Sequence, residues 1–400
     1  MAFDDFLTSE AKRAERWLLE QAFPLWLTKG VDWEHGGFFE DLDSAGKANA
    51  KNKRIRSVCR QIYVACVAHE LKSPLALASI EHGLSFLESF ARSADGGYYS
   101  TFDPHGAPLS QDIDTYDLSF VLFAFAHVYK QLRLDKARHS ALELLAFIQQ
   151  HLAHDKGGFR EGIPSRHPRR QNPHMHLFEA CLEWIPFDET GAFRRQAFLL
   201  KELFSSQFHL QDAVVEHFDD NWNILQRDGD IVVEPGHVFE WCWLLYRFER
   251  HFQTSCPEIS GLLLFGRQHG IATNGLLSGE INLNGRPIKS EVRLWPHAEW
   301  VRAEVVARRQ TPSDRLVDAL TALWRFLDQG GPGLWAERYN PNTGFDRSPS
   351  PATSLYHITG AFLSLMAFSA ETRQGIECLE NAAGAGCIAT QIRNVSAPNV

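Results

Sequence analysis

Four histidines lie at nearly equal intervals along the chain, as expected if a repeating fold builds a site for proton transfer. Intervals of 61, 60 and 60 residues separate His176, His237, His297 and His357. Histidine has an unperturbed pKa of about 6.5 and can donate or accept a proton near neutral pH. General acid–base help of this kind contributes on the order of a hundred- to ten-thousand-fold to a rate. If each histidine occupies an equivalent place in its repeat, the side chains meet in one cavity.

Two further polar residues fall close to this period. Tyr116 lies 60 residues before His176, and Arg60 lies 56 residues before Tyr116. A single buried histidine packs in a core more often than it takes part in catalysis, so His297 or the nearby His174 could be a packing residue. Several polar side chains that converge in one pocket are costly to bury without a ligand or solvent, which favours a functional site.

A glycine-led motif recurs at the same interval and indicates the elements that position these residues. It begins with Gly36-Gly37-Phe38-Phe39, and further copies start at residues 96, 157, 214, 275 and 333. Each copy is typical of a short strand entered through glycine, and the copies at 36, 96 and 275 continue into a second turn, as a β-hairpin does. About forty residues separate successive hairpins, which is enough for two helices.

Six such units predict twelve helices arranged as an inner and an outer ring, because ring closure buries every unit against two neighbours. The sequence therefore predicts an all-α (α/α)6 barrel with short β-hairpins at one end, forming a single domain over residues 1–372, with a C-terminal tail at 373–400. We expect helices at roughly 7–29, 54–72, 74–93, 113–132, 135–153, 172–184, 189–207, 235–252, 257–271, 290–308, 311–329 and 351–370.

Composition narrows the class of protein further. The chain is 44% apolar and 22% charged, as in soluble globular proteins, and its 12% aromatic content suits an aromatic-lined cavity of the kind that binds sugars. A net charge of -9 without an extended basic run argues against nucleic-acid binding. The acidic N-terminus and the lack of a long apolar window predict a cytoplasmic protein with no membrane partner. Seven scattered cysteines predict core packing rather than disulfides or a metal site.

Several local sequences together resemble one known family. These are Arg60-Gln61-Ile62-Tyr63, Tyr116-Asp117, Asn172-Pro173-His174-Met175-His176, Glu234-Pro235-Gly236-His237-Val238-Phe239-Glu240-Trp241, Leu294-Trp295-Pro296-His297-Ala298-Glu299 and Tyr356-His357. In this order, over residues 15–370, the chain resembles the N-acylglucosamine 2-epimerase family, and within it the bacterial D-mannose isomerase branch. The resemblance implies a metal-free (α/α)6-barrel enzyme that acts at C1 and C2 of a free monosaccharide. Its two proton-carrying histidines match His237 and His357.

Catalytic roles follow from that resemblance and from the chemistry. The enzyme must open the sugar ring, remove the C2 proton and stabilise an enediolate. We expect His357 to abstract the C2 proton and His237 to serve ring opening and the other face, although the two could be exchanged. Glu240, one helical turn after His237, would orient that histidine or bind a hydroxyl. Arg60 would stabilise the enediolate oxygen, and His176 would add a further donor.

The remaining predicted site residues would bind sugar hydroxyls or the apolar face of the ring. They are Tyr116, Asn172, Trp295, Glu299 and His297. No metal or nucleotide motif is present, so we expect neither a metal nor a cofactor. The oligomeric state is left open between monomer and homodimer.

Three functions remain open at this point. The first is aldose–ketose isomerisation of a mannose-type hexose, and the second is 2-epimerisation of an N-acylglucosamine or a glucose unit. A more remote alternative is a glycoside hydrolase or lyase on the same barrel, for which Asp117, Glu240 and Glu299 would be the candidate carboxylates, or a sugar-binding protein without turnover. A basic loop over residues 164–170 could select an anionic sugar, although a solvated loop is the simpler interpretation.

Overall fold

Two kinds of helix alternate along the chain, and their burial separates them. One kind is buried on nearly every residue of its N-terminal half, as expected for an inner ring. In the computed structural model, which describes residues 3–311 and 313–393 and their side chains as far as residue 374, these inner helices are α3 (Ile55–Glu70), α5 (Thr115–Leu132), α7 (Gln171–Trp184), α9 (Pro235–Phe252), α11 (Trp295–Gln310) and α13 (Ala352–Arg393).

The second kind of helix buries a single stripe. In the helix at Arg315–Leu327, for example, Leu316, Leu320, Leu323 and Leu327 follow the three-and-four spacing of one apolar face. These outer helices are α1 (Phe3–Arg16), α2 (Phe23–Trp26), α4 (Ala76–Phe86), α6 (Asp135–Phe147), α8 (Ala192–Leu203), α10 (Glu258–Phe265) and α12 (Arg315–Leu327).

The inner helices form a closed ring. Each packs against the next in chain order, and α13 packs against α3 to close the circle. A π-helical turn at Trp17–Ala22 joins α1 to α2 as one helical element, so the described residues contain twelve such elements. The predicted all-α (α/α)6 barrel is confirmed.

π-helical turns also follow four of the other outer helices in the same place. They lie at Leu87–Ala91, Ile148–Leu152, Phe204–Phe208 and Gly266–Gly270. Such turns are rare within helices, so their recurrence marks the repeat as clearly as the glycines do.

Short strands join the repeat units at one end of the barrel. Within the described residues they are β1 (Asp41–Leu42), β2 (Lys53–Arg54), β3 (Thr101–Phe102), β4 (Ile113–Asp114), β5 (Gly162–Ile163), β6 (Arg169–Arg170), β7 (His209–Leu210), β8 (Ala213–Val214), β9 (His217–Phe218), β10 (Val232–Val233), β11 (Glu280–Asn282), β12 (Pro287–Lys289), β13 (Val292–Arg293), β14 (Arg338–Asn340), β15 (Gly344–Phe345) and β16 (Ser350–Pro351).

Most strand pairs connect neighbouring units rather than the two arms of one hairpin. The strand that leads into an inner helix pairs antiparallel with the hairpin of the following unit, as β2 does with β3, β4 with β5 and β6 with β9. The pair β1–β16 joins the first unit to the last and closes the ring of strands as well. The second turns predicted after residues 36 and 96 close single bridges, whereas the one after 275 closes the β11–β12 ladder.

The last helix is longer than predicted. It was expected to end near residue 370, and α13 continues to Arg393. No proline occurs between residues 352 and 393, so the sequence contains no strong helix breaker there. The domain limit at residue 372 remains a prediction.

Two sequence expectations concern the whole chain. Among the helices of the described part, none combines the length and apolarity that a bilayer span needs. The described cysteines are buried free thiols, at positions Cys59, Cys66, Cys181, Cys242 and Cys256. Cys378 and Cys387 lie outside the described side chains.

Candidate active site

The N-terminal ends of the inner helices surround a cavity of about 140 Å³. The strands that lead into the inner helices end beside this cavity, so the first turns of these helices lie around it. The cavity is lined by Arg60, Tyr116, Asn172, His176, Glu234, His237, Glu240, Arg293, Trp295, Thr353, Ser354 and His357.

His237 is held as an imidazolium. It lies in the first turn of α9, and its Nδ1 donates to Oε1 of Glu216 at 2.9 Å. Burial alone would lower the pKa of His237, but the charges of Glu216 and Glu234 raise it to about 10. Both ring nitrogens therefore carry protons at neutral pH, with Nδ1 engaged by Glu216. His237 is equipped to act as an acid in the cavity.

His357 has the opposite character. Burial and the charge of Arg60 hold its pKa well below the usual range, so the ring is neutral. Its Nδ1 lies 2.7 Å from Oε1 of Glu299, an arrangement in which Nδ1 carries the ring proton and Nε2 keeps its lone pair. His357 is therefore equipped to act as a base.

Trp295 connects the two histidines in space. The centroid of its indole lies 5.0 Å from that of His237 and 5.4 Å from that of His357. Acid and base thus flank one aromatic surface, on which an apolar face of a sugar could rest.

The other side of the cavity carries His176, Tyr116 and Arg60. Nδ1 of His176 lies 3.2 Å from Oε2 of Glu179, and the rings of His176 and Tyr116 lie 5.0 Å apart. Burial lowers the pKa of His176 to about 4, so the ring is neutral and its Nε2 is an acceptor, in contrast to the donor role expected from sequence. Arg60 donates from Nη2 to the Tyr116 hydroxyl at 2.8 Å.

Several polar atoms around the cavity have no hydrogen-bond partner among the described residues. They include Oδ1 of Asn172, Nε of Arg60 and both carboxyl oxygens of Glu240, all of them buried. Burial and the charges of Glu299 and Glu179 hold the pKa of Glu240 well above its usual range, so this carboxyl can donate as well as accept. Hydroxyl groups of a ligand would satisfy these atoms.

The predicted partner of His237 is wrong. Glu240 was expected to orient this histidine, and the structure gives that position to Glu216. Oε1 of Glu240 instead lies 3.8 Å from Nδ1 of His176. Helical spacing places Glu240 one turn from His237, but Nδ1 of His237 faces the strand end rather than its own helix. The glutamate that ends the hairpin motif, seen also at Glu40, Glu161 and Glu337, is a signal that could have identified Glu216.

His297 does not belong to the cavity. It is fully buried, its Nε2 accepts from the Leu277 amide at 3.0 Å, and its Nδ1 lies 3.0 Å from the Arg293 carbonyl. His174 makes the same two kinds of contact. Both follow a proline in their helix, and each ties the helix to the preceding hairpin. The packing interpretation is therefore the right one for both histidines.

Glu299 also has a different place from the one predicted. It does not line the cavity and contacts His357 and Arg302 instead. The lining residues Glu234, Arg293, Thr353 and Ser354 were not predicted. Their only common sequence signal is position, since each lies within two residues of the start of an inner helix.

The basic loop over residues 164–170 has its charges engaged. Arg166 pairs with Asp114 at 2.9 Å, and Arg170 pairs with Glu161 at 2.7 Å. Arg169 is buried, with its guanidinium 3.4 Å from the centroid of the Trp222 ring. Residues 163–168 are exposed, in agreement with a solvated loop, and the charges of Arg166 and Arg170 are compensated by their carboxylate partners.

Three groups of side chains have the composition of a metal site. In each group the possible ligand atoms lie within 4.8 Å of one another, and the groups are His176–Glu179–Glu240, Glu216–Glu234–His237 and Glu240–Glu299–His357. In all three, the histidine Nδ1 is already hydrogen-bonded to a carboxylate. Two of the three possible ligands in each group are thus hydrogen-bonded to each other, and metal independence remains a prediction.

The chain is similar over most of its length to known sugar enzymes. A family profile described as N-acylglucosamine 2-epimerase (GlcNAc 2-epimerase) matches residues 37–361. Mannose-6-phosphate isomerase of Rhizobium meliloti (strain 1021) is 30% identical over 373 residues, which cover 87% of this chain and 95% of that protein. D-mannose isomerase of Thermobifida fusca is 27% identical over 321 residues, covering 70% and 75%.

A solved structure shows the same fold. Cellobiose 2-epimerase from Spirochaeta thermophila DSM 6192 superposes with a TM-score of 0.82 at 18% identity, covering 93% of this chain and 99% of that one. This similarity supports the barrel architecture alone, since the sequences have diverged so far.

Proposed function

The chain belongs to the N-acylglucosamine 2-epimerase family and is a sugar epimerase or isomerase, and from this premise we propose that it interconverts D-mannose and D-fructose by proton transfer between C2 and C1. The observation that carries the proposal is the contrast between its two cavity histidines. His237 is charged and His357 is neutral, and both lie against Trp295. An isomerase needs one acid and one base at a single substrate.

Ring opening is the first step. His237 donates its Nε2 proton to the ring oxygen O5 as the C1–O5 bond breaks, and the C1–OH proton passes to an acceptor, for which Nε2 of His176 is available. The products are the open-chain aldehyde with a free O5 hydroxyl. The unpartnered atoms of Asn172 and Glu240 would bind the hydroxyls that become free.

Proton transfer follows. Nε2 of His357 takes the C2 proton, the C2–H electron pair forms the C1–C2 double bond, and the carbonyl electrons move to O1. Arg60 supplies positive charge for the enediolate that results. The O2–H proton passes to O1, and the proton on His357 returns to C1 as the electron pair on O2 forms the C2 carbonyl, which completes the conversion of aldose to ketose.

The charge balance of the arginines that precede the inner helices favours an uncharged sugar. Arg54, Arg170 and Arg293, which precede α3, α7 and α11, each pair with a buried glutamate of a hairpin, namely Glu40, Glu161 and Glu337. Their charges are therefore compensated.

Product analysis in heavy water tests the function. D-mannose incubated with the enzyme should give D-fructose, with deuterium at C1 to the extent that His357 exchanges its proton with solvent. NMR of the products distinguishes C1 from C2 labelling. If D-glucose labelled at C2 is the only product, the chain is a 2-epimerase and the isomerase proposal fails.

A further inference from the structure

A row of buried charged side chains that do not line the cavity connects two of its histidines, His357 and His176. Starting at His357, Nδ1 contacts Glu299 at 2.7 Å, and Glu299 accepts from Nη1 of Arg302 at 3.0 Å. Arg302 also lies 3.8 Å from Glu179, whose Oε2 lies 3.2 Å from Nδ1 of His176. Each histidine thus ends a line of alternating charges that has Arg302 at its centre.

Arg302 is placed to hold both glutamates at once. It lies one helical turn after Glu299 on α11, and its guanidinium reaches across to Glu179 on α7. Arg302 is only 6% exposed, and both glutamates are at most 1% exposed. Tyr356 donates a further hydrogen bond to Glu179 at 2.5 Å. Removing one member of a buried network of this kind leaves the others without compensation.

We propose that Arg302 is a positioning residue that fixes Glu299 and Glu179 as hydrogen-bond acceptors, so that His357 and His176 keep Nδ1 protonated and turn an unprotonated Nε2 toward the cavity. This inference rests on the proposed proton transfer for its purpose, although the tautomers it specifies exist without turnover. Arg302 does not line the cavity, so it acts only through the two histidines.

The charges of this network set the direction of its pH response. Burial raises the pKa of Glu299 to about 6, and Arg302 counteracts that rise. Burial also acts to raise the pKa of Glu179, but the hydrogen bond from His176 and the charge of Arg302 lower it to about 2. The other titratable groups that face the network are Arg60 and Tyr63 of α3, Glu183 of α7, His237 and Glu240 of α9, and Tyr356 of α13.

Two substitutions should therefore move the acid limb of the kcat/KM profile in opposite directions. Arg302→Met removes the cation that lowers the pKa of Glu299, so Glu299 takes up a proton at higher pH. The apparent pKa of the acid limb should therefore increase by about one pH unit or more. Glu179→Gln removes an anion that raises the pKa of Glu299, so the apparent pKa of the acid limb should decrease.

The magnitude of the effect on turnover is also predicted. In Arg302→Met we expect kcat to fall on the order of 10- to 100-fold, the cost typical of losing an outer partner that orients a functional histidine. KM should stay nearly constant, because Arg302 does not line the cavity. Arg302→Lys keeps the charge and should restore part of kcat and most of the wild-type profile.

NMR of protein labelled with ¹⁵N-histidine gives a second test that needs no turnover. The His357 and His176 signals, assigned with the His357→Asn and His176→Asn variants, should show a protonated Nδ1 and an unprotonated Nε2 at pH 7. Arg302→Met should shift them toward a mixture of tautomers. Because this result does not depend on the product, it separates failure of the positioning inference from failure of the proposed isomerase.

A matched control lies on the same helix. Glu304 of α11 is fully buried and pairs with Arg267, whose Nε donates at 2.9 Å, but neither residue lines the cavity. Arg267→Met should lower the melting temperature and leave the acid limb and the histidine tautomers unchanged. The inference is overturned if Arg302→Met keeps the wild-type profile and tautomers, or if Arg267→Met shifts them equally. Should Arg302→Met fail to fold, Glu179→Gln decides, because an acid limb that does not move to lower pH in this variant overturns the inference.

Discussion

Glu216 accepts a hydrogen bond from Nδ1 of His237 at 2.9 Å, although 21 residues separate the two in sequence. The glutamate ends a hairpin motif and the histidine opens the next inner helix, so the repeat itself brings them together. Both side chains are buried, at 3% and 4% exposure. A buried ion pair of this kind sets the protonation state of the histidine more firmly than a surface pair would.

Substitution of Glu216 by Gln should move the alkaline limb of the pH profile. The pKa of His237 is raised to about 10, first by Glu216 and then by Glu234 against the effect of burial, so His237 stays an acid through neutral pH. Without the Glu216 charge this pKa falls, and the alkaline limb of kcat/KM should move to lower pH. The measurement is the rate of fructose formation from pH 5 to 10.

Glu40→Gln is a suitable control for that experiment. Glu40 holds the same place in the first hairpin motif but binds Arg54 and Ser57 rather than a histidine. Its substitution should lower stability and leave the alkaline limb in place. An equal shift in both variants would show that the limb does not report His237.

The pair His357 and His297 offers a direct comparison of function and packing. His357→Asn should reduce kcat on the order of a hundred- to ten-thousand-fold with little change in the melting temperature, because it removes the proposed base. His297→Asn should do the reverse, since both His297 nitrogens contact backbone atoms and the ring lies outside the cavity. Steady-state kinetics and thermal unfolding on both variants test this. Loss of turnover in a stable His297→Asn protein would mean that His297 belongs to the active site.

The same comparison shows what the sequence could predict. The sixty-residue period was sufficient to predict the barrel and a single cavity, because equivalent helices of a closed ring face a common centre. It was not sufficient for each side chain. His237 and His297 are each the third residue of their helix, but His237 lines the cavity, whereas His297 contacts backbone atoms of the preceding hairpin and strand. Histidines at equal sequence intervals can therefore lie on different faces of their helices.

Contacts between repeat units were the least predictable part. The roles of Glu216 and Glu299 depend on which strand end or helix lies beside each histidine, and helical spacing within one element carries no such information. Glu240 was chosen as the partner of His237 because it lies one turn away, but the true partner comes from the preceding hairpin. Long-range pairing of this kind requires the packed ring.

Removal of divalent cations should leave activity unchanged. In each candidate metal group the histidine Nδ1 and a carboxylate of the same group already hydrogen-bond to each other, and a metal ion between these two atoms would have to displace that hydrogen bond. The enzyme should therefore keep its kcat after dialysis against a chelator, checked by elemental analysis of the dialysed protein. Loss of activity that Mn²⁺, Mg²⁺ or Zn²⁺ restores would contradict metal independence and direct attention to the group around Glu240.

Substrate charge provides the last prediction. Arg293 lines the cavity but gives two hydrogen bonds to Glu337, so its charge is compensated before any ligand arrives. D-mannose should therefore exceed mannose 6-phosphate in kcat/KM by at least about tenfold, a difference of about 1.4 kcal/mol. Glu337→Gln would release Arg293 and should narrow this preference, whereas Glu40→Gln, beside an arginine that does not line the cavity, should narrow it less. The measurement is kcat/KM for D-mannose and for mannose 6-phosphate with each enzyme. Faster turnover of the phosphate by the wild-type enzyme would mean that Arg293 binds an anion and that the uncharged hexose is the wrong substrate.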